Sequence, residues 1–398
     1  MSKIQIKAFF RFCRVKIGAQ RFHMESNLVF IEANPDKRYN PVCHNCGSVA
    51  KKIHSYNKRM VRDLNIFKAK TFIRYTYRTL RCDRCGLVVE DLGLAEPYAR
   101  VTKRLAQYIL DLCHSLTIKE IAEHLELDWK TIKDIHKSFL KERFSPPDIG
   151  SPKLLAVDEI SLKKRHKYLT VVIDWESGRV LWVAQGRGEE ALKEFFNQLT
   201  PEIKKGIKAM AMDMWDPYIK AVEEHSPDCA IVFDQFHVIS SFGRVIDKVR
   251  NIELRKANQT GKEVIKGSKY ILLKNPENLF KEEKPKLKAI LKLNKALSTV
   301  YILKDYLKRL WQYRYPKCAQ RFLHFWCSLA FQSKIKPVIQ FAKTLTRYAY
   351  GIINHCKFPL HTSRLEGINN KIKVIKRKAY GFHDIEYFSL IIKCSFAK

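Results

Sequence analysis

No apolar run in this sequence approaches the roughly 18 to 20 residues that a membrane-spanning helix requires, so a helical membrane protein is excluded. The N-terminal stretch MSKIQIKAFFRFCRVK lacks a signal-peptide cleavage pattern, which makes the cytoplasm, in contact with the nucleoid, the expected location. Internal repeats and low-complexity tracts are absent too. Acidic residues are scarce: 40 Asp+Glu stand against 74 Lys+Arg, a formal net charge of +34. A surplus of that size calls for a polyanionic partner, nucleic acid first and a membrane surface as the rival. Against these absences, 398 residues with 46% hydrophobic content suffice for two to four folded domains. The eleven cysteines, in a long Lys-rich chain with no export signal, read as thiols or metal ligands rather than disulfides.

Punctuation comes from Pro and Gly. One break lies near Glu96-Pro97 and a second at Ser145 to Pro152, where a basic helical stretch gives way to a strand-like run. The chain thus divides into an N-terminal segment of unknown role (1–40), a cysteine region (41–97), a short helical region (100–145) and a long remainder. In the remainder, Leu154 to Ile160, Tyr168 to Asp174, Arg179 to Ala184, Lys208 to Asp213 and Cys229 to Phe233 read as strands, with a hairpin turn at Glu176-Ser-Gly178. Helical patterns follow at Glu189 to Leu199 and from Pro217, where Asp216 can cap. Three antiparallel strands followed by alternating helices and strands make an α/β order that resembles a ribonuclease-H-like core. Its first part spans 152–237. A helical insertion occupies 238–356, and a final helix with a basic tail, 357–398, completes the core.

Cys43-His-Asn-Cys46-Gly and Cys82-Asp-Arg-Cys85-Gly form two knuckles, each placing two thiolates on a tight turn whose following Gly tolerates positive φ. Four thiolates suit a closed tetrahedral structural Zn²⁺ site, and the alternating strand Thr71 to Leu80 between them is the layout of a zinc ribbon; the alternative is unliganded thiols or a redox pair. His44 and His54 are substitute ligands the site does not need. Further on, Thr117-Ile-Lys-Glu120 is a capping box, and Asp128 caps a second helix, Trp129 to Leu140. Its Ile132, Ile135 and Phe139 face inward and leave Lys130, Thr131, Lys133 and Lys137 outside, as in a helix-turn-helix with a basic recognition helix. A helical linker with a solvated lysine face has the same pattern.

The strand around Val157-Asp158-Glu-Ile is apolar but interrupted by acids, whose burial costs several kcal/mol unless the charge is paired or metal-bound. Ala209-Met-Ala-Met-Asp213 repeats the pattern; the bland alternative is that these acids are turn residues and caps. In Ser363-Arg-Leu-Glu366-Gly-Ile-Asn-Asn370-Lys-Ile-Lys373-Val-Ile-Lys-Arg377, helical spacing sets Leu365, Ile368, Ile372 and Ile375 on one face and Glu366, Asn370, Lys373 and Arg377 on another. One acid in a row of basic and amide groups suits a helix over an active site, offering a metal ligand beside phosphate-holding groups; the alternative is a solvated mixed-charge face. Asp234 and His237, taken alone, read equally well as a cap and a core histidine.

Val157-Asp158-Glu-Ile, Asp213-Met-Trp-Asp-Pro-Tyr218, Phe233-Asp234-Gln-Phe-His237 and Ser363-Arg-Leu-Glu366-Gly-Ile-Asn-Asn370, with the paired CxxC knuckles ahead, together resemble the bacterial insertion-sequence transposases of the ISL-three (ISL3) family. The likeness runs from about Pro41 to the C-terminus. It implies a ribonuclease-H-like fold broken by a helical insertion, with Asp158, Asp213 and Glu366 as a DDE triad holding Mg²⁺ or Mn²⁺ and with Asp234 and His237 supporting the site. Three such carboxylates can hold two ions about 3.5 to 4 Å apart for phosphodiester hydrolysis and transesterification. The implied partners are double-stranded DNA, both the element's terminal inverted repeats and the target, and further copies of the chain on DNA. The rivals are a non-enzymatic zinc and helix-turn-helix DNA-binding regulator derived from a transposase, and a nuclease that cuts without joining.

Overall fold

A computed structural model describes residues 10, 12, 14–145, 148–163, 167–360, 363–379 and 381–397. The chain falls into two compact units, one ending at Glu142 and the other beginning at Arg143.

The first unit is built on a five-stranded sheet of β1 (Val15–His23), β2 (Leu28–Pro35), β3 (Lys52–Ile66), β4 (Ala69–Cys82) and β5 (Gly86–Val89). Its order is β1-β2-β4-β3, with β5 also pairing to β4; only the β2/β4 pairing is parallel. The segment before residue 41, to which the sequence assigns no role, therefore supplies two strands to the sheet that carries the cysteine knuckles. Ile31, Ala33, Val61, Ile73 and Tyr75 bury the alternating inner face. α1 (Lys103–Cys113), α2 (Ile118–Leu125) and α3 (Trp129–Phe144) follow. The Thr117/Glu120 capping box is closed in both directions, Glu126 turns the chain in the left-handed region, and Asp128 Oδ1 accepts from the Lys130 amide at 2.7 Å. Leu105, Ile109, Ile121, Leu125 and Ile132 form the small core of these helices. They are tied to the sheet through Asp63, a fully buried carboxylate that accepts from Thr102 Oγ1 at 2.7 Å and Arg104 Nε at 2.8 Å.

The second unit has a sheet of β6 (Leu154–Lys163), β7 (Lys167–Asp174), β8 (Val180–Gln185), β9 (Ala209–Met212) and β10 (Ala230–Phe233), in the order β10-β9-β6-β7-β8. β6, β7 and β8 form an antiparallel meander, while β9 and β10 run parallel to β6. α4 (Glu189–Asn197) and α5 (Pro201–Gly206) lead from β8 to β9, and α6 (Asp216–His225) joins the parallel β9 and β10. Beyond β10 come α7 (Gln235–Lys256), α8 (Gln259–Ile265), α9 (Lys269–Leu273), α10 (Glu283–Leu293), α11 (Lys295–Arg309), α12 (Pro316–Gln332), α13 (Lys336–Arg347) and α14 (Ala349–Ile353), then α15 (Ser363–Lys378) and α16 (Ile385–Ser395). Because side chains alternate across a strand, Leu155, Val157, Met210 and Met212 pack into one core with α4, α6 and the helical insertion. Ala156, Ile160, Val171 and Ala211 pack against Leu365, Ile368 and Ile372 of α15 and Phe388 of α16. The insertion is pinned at Gly351, where an added Cβ would lie 2.5 Å from the Phe233 ring.

Asp216 departs from its expected role as a cap. Trp215 holds the N-cap position without a side-chain bond, and the Asp216 carboxylate accepts instead from Arg347 at 3.1 Å and the Tyr348 hydroxyl at 2.7 Å. Among the described residues, no helix is long and apolar enough to cross a membrane.

Candidate active site and metal centres

The sheet of the second unit brings acids from separate strands to one edge. Asp158 stands on β6, Asp213 directly follows β9, and Asp234 caps α7, accepting from the Phe236 amide at 3.0 Å. That cap aims the first turn of α7 so that His237 meets the strand-end acids. Ligand atoms of Asp158, Asp213 and His237 all lie within 4.8 Å of one another. His237 Nδ1 is 2.9 Å from Asp213 Oδ1, and its Nε2 is 3.6 Å from Asp234 Oδ2. Burial by itself would lower the His237 pKa, but the bond to Asp213 and the charges of Asp213, Asp234 and Asp158 outweigh it and the value is raised.

Asp158 is half-buried, and desolvation raises its pKa despite two donors. Oδ1 accepts from the Glu159 amide at 2.7 Å and Oδ2 from Asn369 Nδ2 at 2.5 Å. Carboxylates whose own protein partners do not offset their desolvation suit a hard divalent cation, and Mg²⁺ is commonly held by one or two carboxylates with the rest of its shell left to water and substrate. The carboxylates of Asp158 and Asp213 fit Mg²⁺ or Mn²⁺ on those grounds, with His237 engaged by Asp213 and Asp234 behind them.

The third acid expected from the sequence stands apart. Glu366 is exposed in the first turn of α15 and is not in the group of converging ligand atoms. α15 nevertheless reaches the site, since Asn369, one turn further on, is the residue that touches Asp158. Asn370, Lys373 and Arg377 are exposed on the same helix. Sequence reasoning passed over Asn369, although a polar side chain flanked by Ile368 and Ile372 on the buried stripe is a visible signal. It also passed over Glu159, whose carboxyl lies near Asp213 and is pushed up to about 7 mainly by burial, and over Arg187 and Arg244.

In the first unit, the sulfurs of Cys43, Cys46, Cys82 and Cys85 lie within 4.8 Å of one another, with Cys46 and Cys82 at 3.6 Å. A tetrahedron with Zn–S bonds of about 2.3 Å has edges close to that spacing. Gly47 and Gly86, just past each knuckle, take the positive φ the turns demand, +71° and +74°. Hydrogen bonds from Ser48 bring the Cys46 thiol down, whereas burial pushes Cys43 up and the neighbouring Cys46 pushes Cys85 up, as expected where four sulfurs crowd together with no cation between them. On α3, Lys130 is exposed, whereas Thr131, Lys133 and Lys137 are half-buried.

A four-thiolate centre and a helix-turn-helix ahead of an α/β unit with clustered acids define a DNA-handling protein. Family models agree part by part: the zinc-finger of transposase IS204/IS1001/IS1096/IS1165 matches residues 40–85, the helix-turn-helix domain of transposase family ISL3 matches 90–139, and a transposase domain matches 155–392. The chain is 41% identical over 359 residues to the transposase for insertion sequence element IS1001 of Bordetella parapertussis, covering 89% of this chain and 88% of that protein. It is 26% identical over 369 residues to the transposase for insertion sequence element IS1557 of Mycobacterium tuberculosis, covering 86% and 83%. The chain belongs to the ISL3 family of transposases.

Proposed function

We propose that the chain is a DDE-type transposase that binds the terminal inverted repeats of an insertion sequence and performs metal-dependent DNA strand cleavage and strand transfer. The observation that carries this reading is the convergence of Asp158 and Asp213, with His237, at the edge of the second unit's sheet. The strand order, an antiparallel meander extended by two parallel strands, supports a ribonuclease-H-like core. Glu366 is assigned as the third acid: it lies one helical turn before Asn369, which already contacts Asp158.

A bound Mg²⁺ or Mn²⁺ would supply Lewis-acid activation of the attacking oxygen and charge stabilisation for the leaving one. The chain's own residues prepare that event. Asp234 and His237 hold Asp213 in orientation from behind, and Asn369 and the Glu159 amide fix both oxygens of Asp158. Asn370, Lys373 and Arg377 lie on the exposed part of α15, where they would meet the DNA backbone. Phosphate contacts position but do not specify, so end recognition falls to α3, with Lys130, Thr131, Lys133 and Lys137, and to the zinc-bearing sheet. Two ends must be held together for joining, and the active form is a homo-oligomer on DNA.

The test is to incubate purified chain with labelled element ends, target DNA and Mg²⁺. Joined products are expected. A regulator would give mobility shifts only and a nuclease nicks only; either result replaces this reading.

A further inference from the structure

Beside the acids lies a cleft of about 340 Å³ whose walls include Asp213, His237, Glu159, Arg187, Ser241 and Arg244. Two arginines thus line the cavity that ends on Asp213, one of the proposed catalytic acids. Arg187 is held in place by aromatic rings: its guanidinium carbon is 4.6 Å from the centre of Tyr168 and 5.7 Å from that of Trp215, and Trp215 Nε1 donates to the Arg187 carbonyl at 3.2 Å. Ring faces satisfy a guanidinium by cation–π attraction without accepting its N–H hydrogens as carboxylates do, so those donors stay available to an anion. Arg244, one turn beyond Ser241 on α7, gives one N–H to Ser241 Oγ at 2.8 Å and keeps the rest. Among the described residues, neither guanidinium makes an ion pair with a carboxylate within 4.0 Å, in contrast to Arg250, paired with Asp247, and Arg347, paired with Asp216. Forked donors of fixed orientation match the oxygens of a phosphodiester.

We infer that Arg187 and Arg244 form a clamp for a backbone phosphate of the DNA strand whose end reacts at Asp158 and Asp213. The inference deepens the transposase reading and rests on it. It differs from the contacts assigned to α15, because it places the strand terminus on the α7 side of the acids. A single bound phosphate there fixes the terminal nucleotide relative to the acids, whereas α3 and the zinc-bearing sheet read the interior of the repeat.

The experiment uses full-length, zinc-loaded chain with Ca²⁺ and no Mg²⁺, so that binding is read without turnover. Dissociation constants are measured for an inverted-repeat duplex and for the same duplex shortened by a few base pairs at the reacting terminus. For the wild-type chain, shortening should weaken binding about tenfold. Arg187→Ala and Arg244→Ala should each weaken binding of the intact duplex several-fold, reduce the salt slope by about 1 for each phosphate no longer engaged, and shrink the penalty for shortening by the same factor. Arg187→Lys, which keeps charge without the fork, should recover only part. Both arginines are exposed, so melting temperatures should stay within a degree or two of wild type. If both alanine variants still distinguish intact from shortened duplex as the wild type does, the clamp is overturned. Asp158→Ala, run in parallel with Mg²⁺, separates the two ideas: if it binds normally and fails to join, the enzyme reading survives whatever the arginines do.

Discussion

Asn369 on α15 donates its amide to Oδ2 of Asp158 on β6 at 2.5 Å, across the sheet face that both elements share. Asn369 is only 7% exposed, and its Oδ1 is buried without a hydrogen-bond partner. A buried amide kept half-satisfied beside an acid in the middle of β6 costs stability of order 1 to 3 kcal/mol, which points to positioning rather than packing. Asn369→Ala is expected to leave end-binding intact, to reduce joining, and to raise the Mn²⁺ concentration needed for half-maximal joining several-fold. A purely structural role would change the melting temperature and leave that concentration where it was.

The four-cysteine centre should hold one Zn²⁺ per chain, and a metal site that is absent from the unfolded chain contributes its binding energy to folding. Cys46→Ser, or a strong chelator, is expected to lower the first unit's melting transition by many degrees and to remove end-binding, while the second unit's transition stays. Metal analysis alongside calorimetry checks this; a zinc-free chain with both transitions unchanged would rule out a structural metal.

On α3 the burial of His136 lowers its pKa to about 4, so it stays neutral at physiological pH and takes no charge to DNA. Lys130 is exposed on the same helix, and the proposed function makes it a phosphate or base contact. Lys130→Ala should weaken binding and reduce the salt slope by about 1 if it meets phosphate. If it reads a base, it should relax preference at one position of the repeat by about 1 to 3 kcal/mol. Affinity measured at several salt concentrations on matched and scrambled ends decides the matter, and no change in either quantity removes Lys130 from the interface.

Within the insertion, Lys304 is buried, donating to the carbonyls of Leu272 at 2.8 Å and Lys274 at 2.7 Å above the Tyr301 ring. Desolvation brings its pKa down to about 8 from 10.5. Between those values the unfolded chain binds the proton that the folded chain releases, so this group makes stability rise as pH goes from 8 to 10.5. Lys304→Met should lose that rise. Urea midpoints of the two proteins, subtracted at each pH, should separate steadily across the window; parallel curves would contradict the assignment.

Local chemistry was legible. The capping box, the recognition-helix cap, the CxxC turns and the β6 to β10 runs are written in residues a few positions apart, and the structure has an element at each of those places. Long-range competition was not. Asp216 looks like a cap until Arg347 and Tyr348, far along the chain, claim its carboxylate. β1 and β2 gain their place only through the parallel pairing of β2 with β4. The turn of α15 is set by burial of Leu365, Ile368 and Ile372, which rotates Asn369 onto Asp158 and leaves Glu366 exposed. Periodicity identified the apolar stripe but not which polar neighbour would meet the acid.

Calorimetric titration of Mn²⁺ into the zinc-loaded chain bound to its DNA ends tests the acid cluster most directly, with Asp158→Ala, Asp213→Ala and Glu366→Ala beside the wild type. The wild type should take up Mn²⁺; the two aspartate variants should lose that uptake while keeping DNA affinity, and Glu366→Ala should weaken it at least tenfold once DNA is bound. Mn²⁺ uptake by Asp158→Ala and Asp213→Ala equal to that of the wild type would contradict the account.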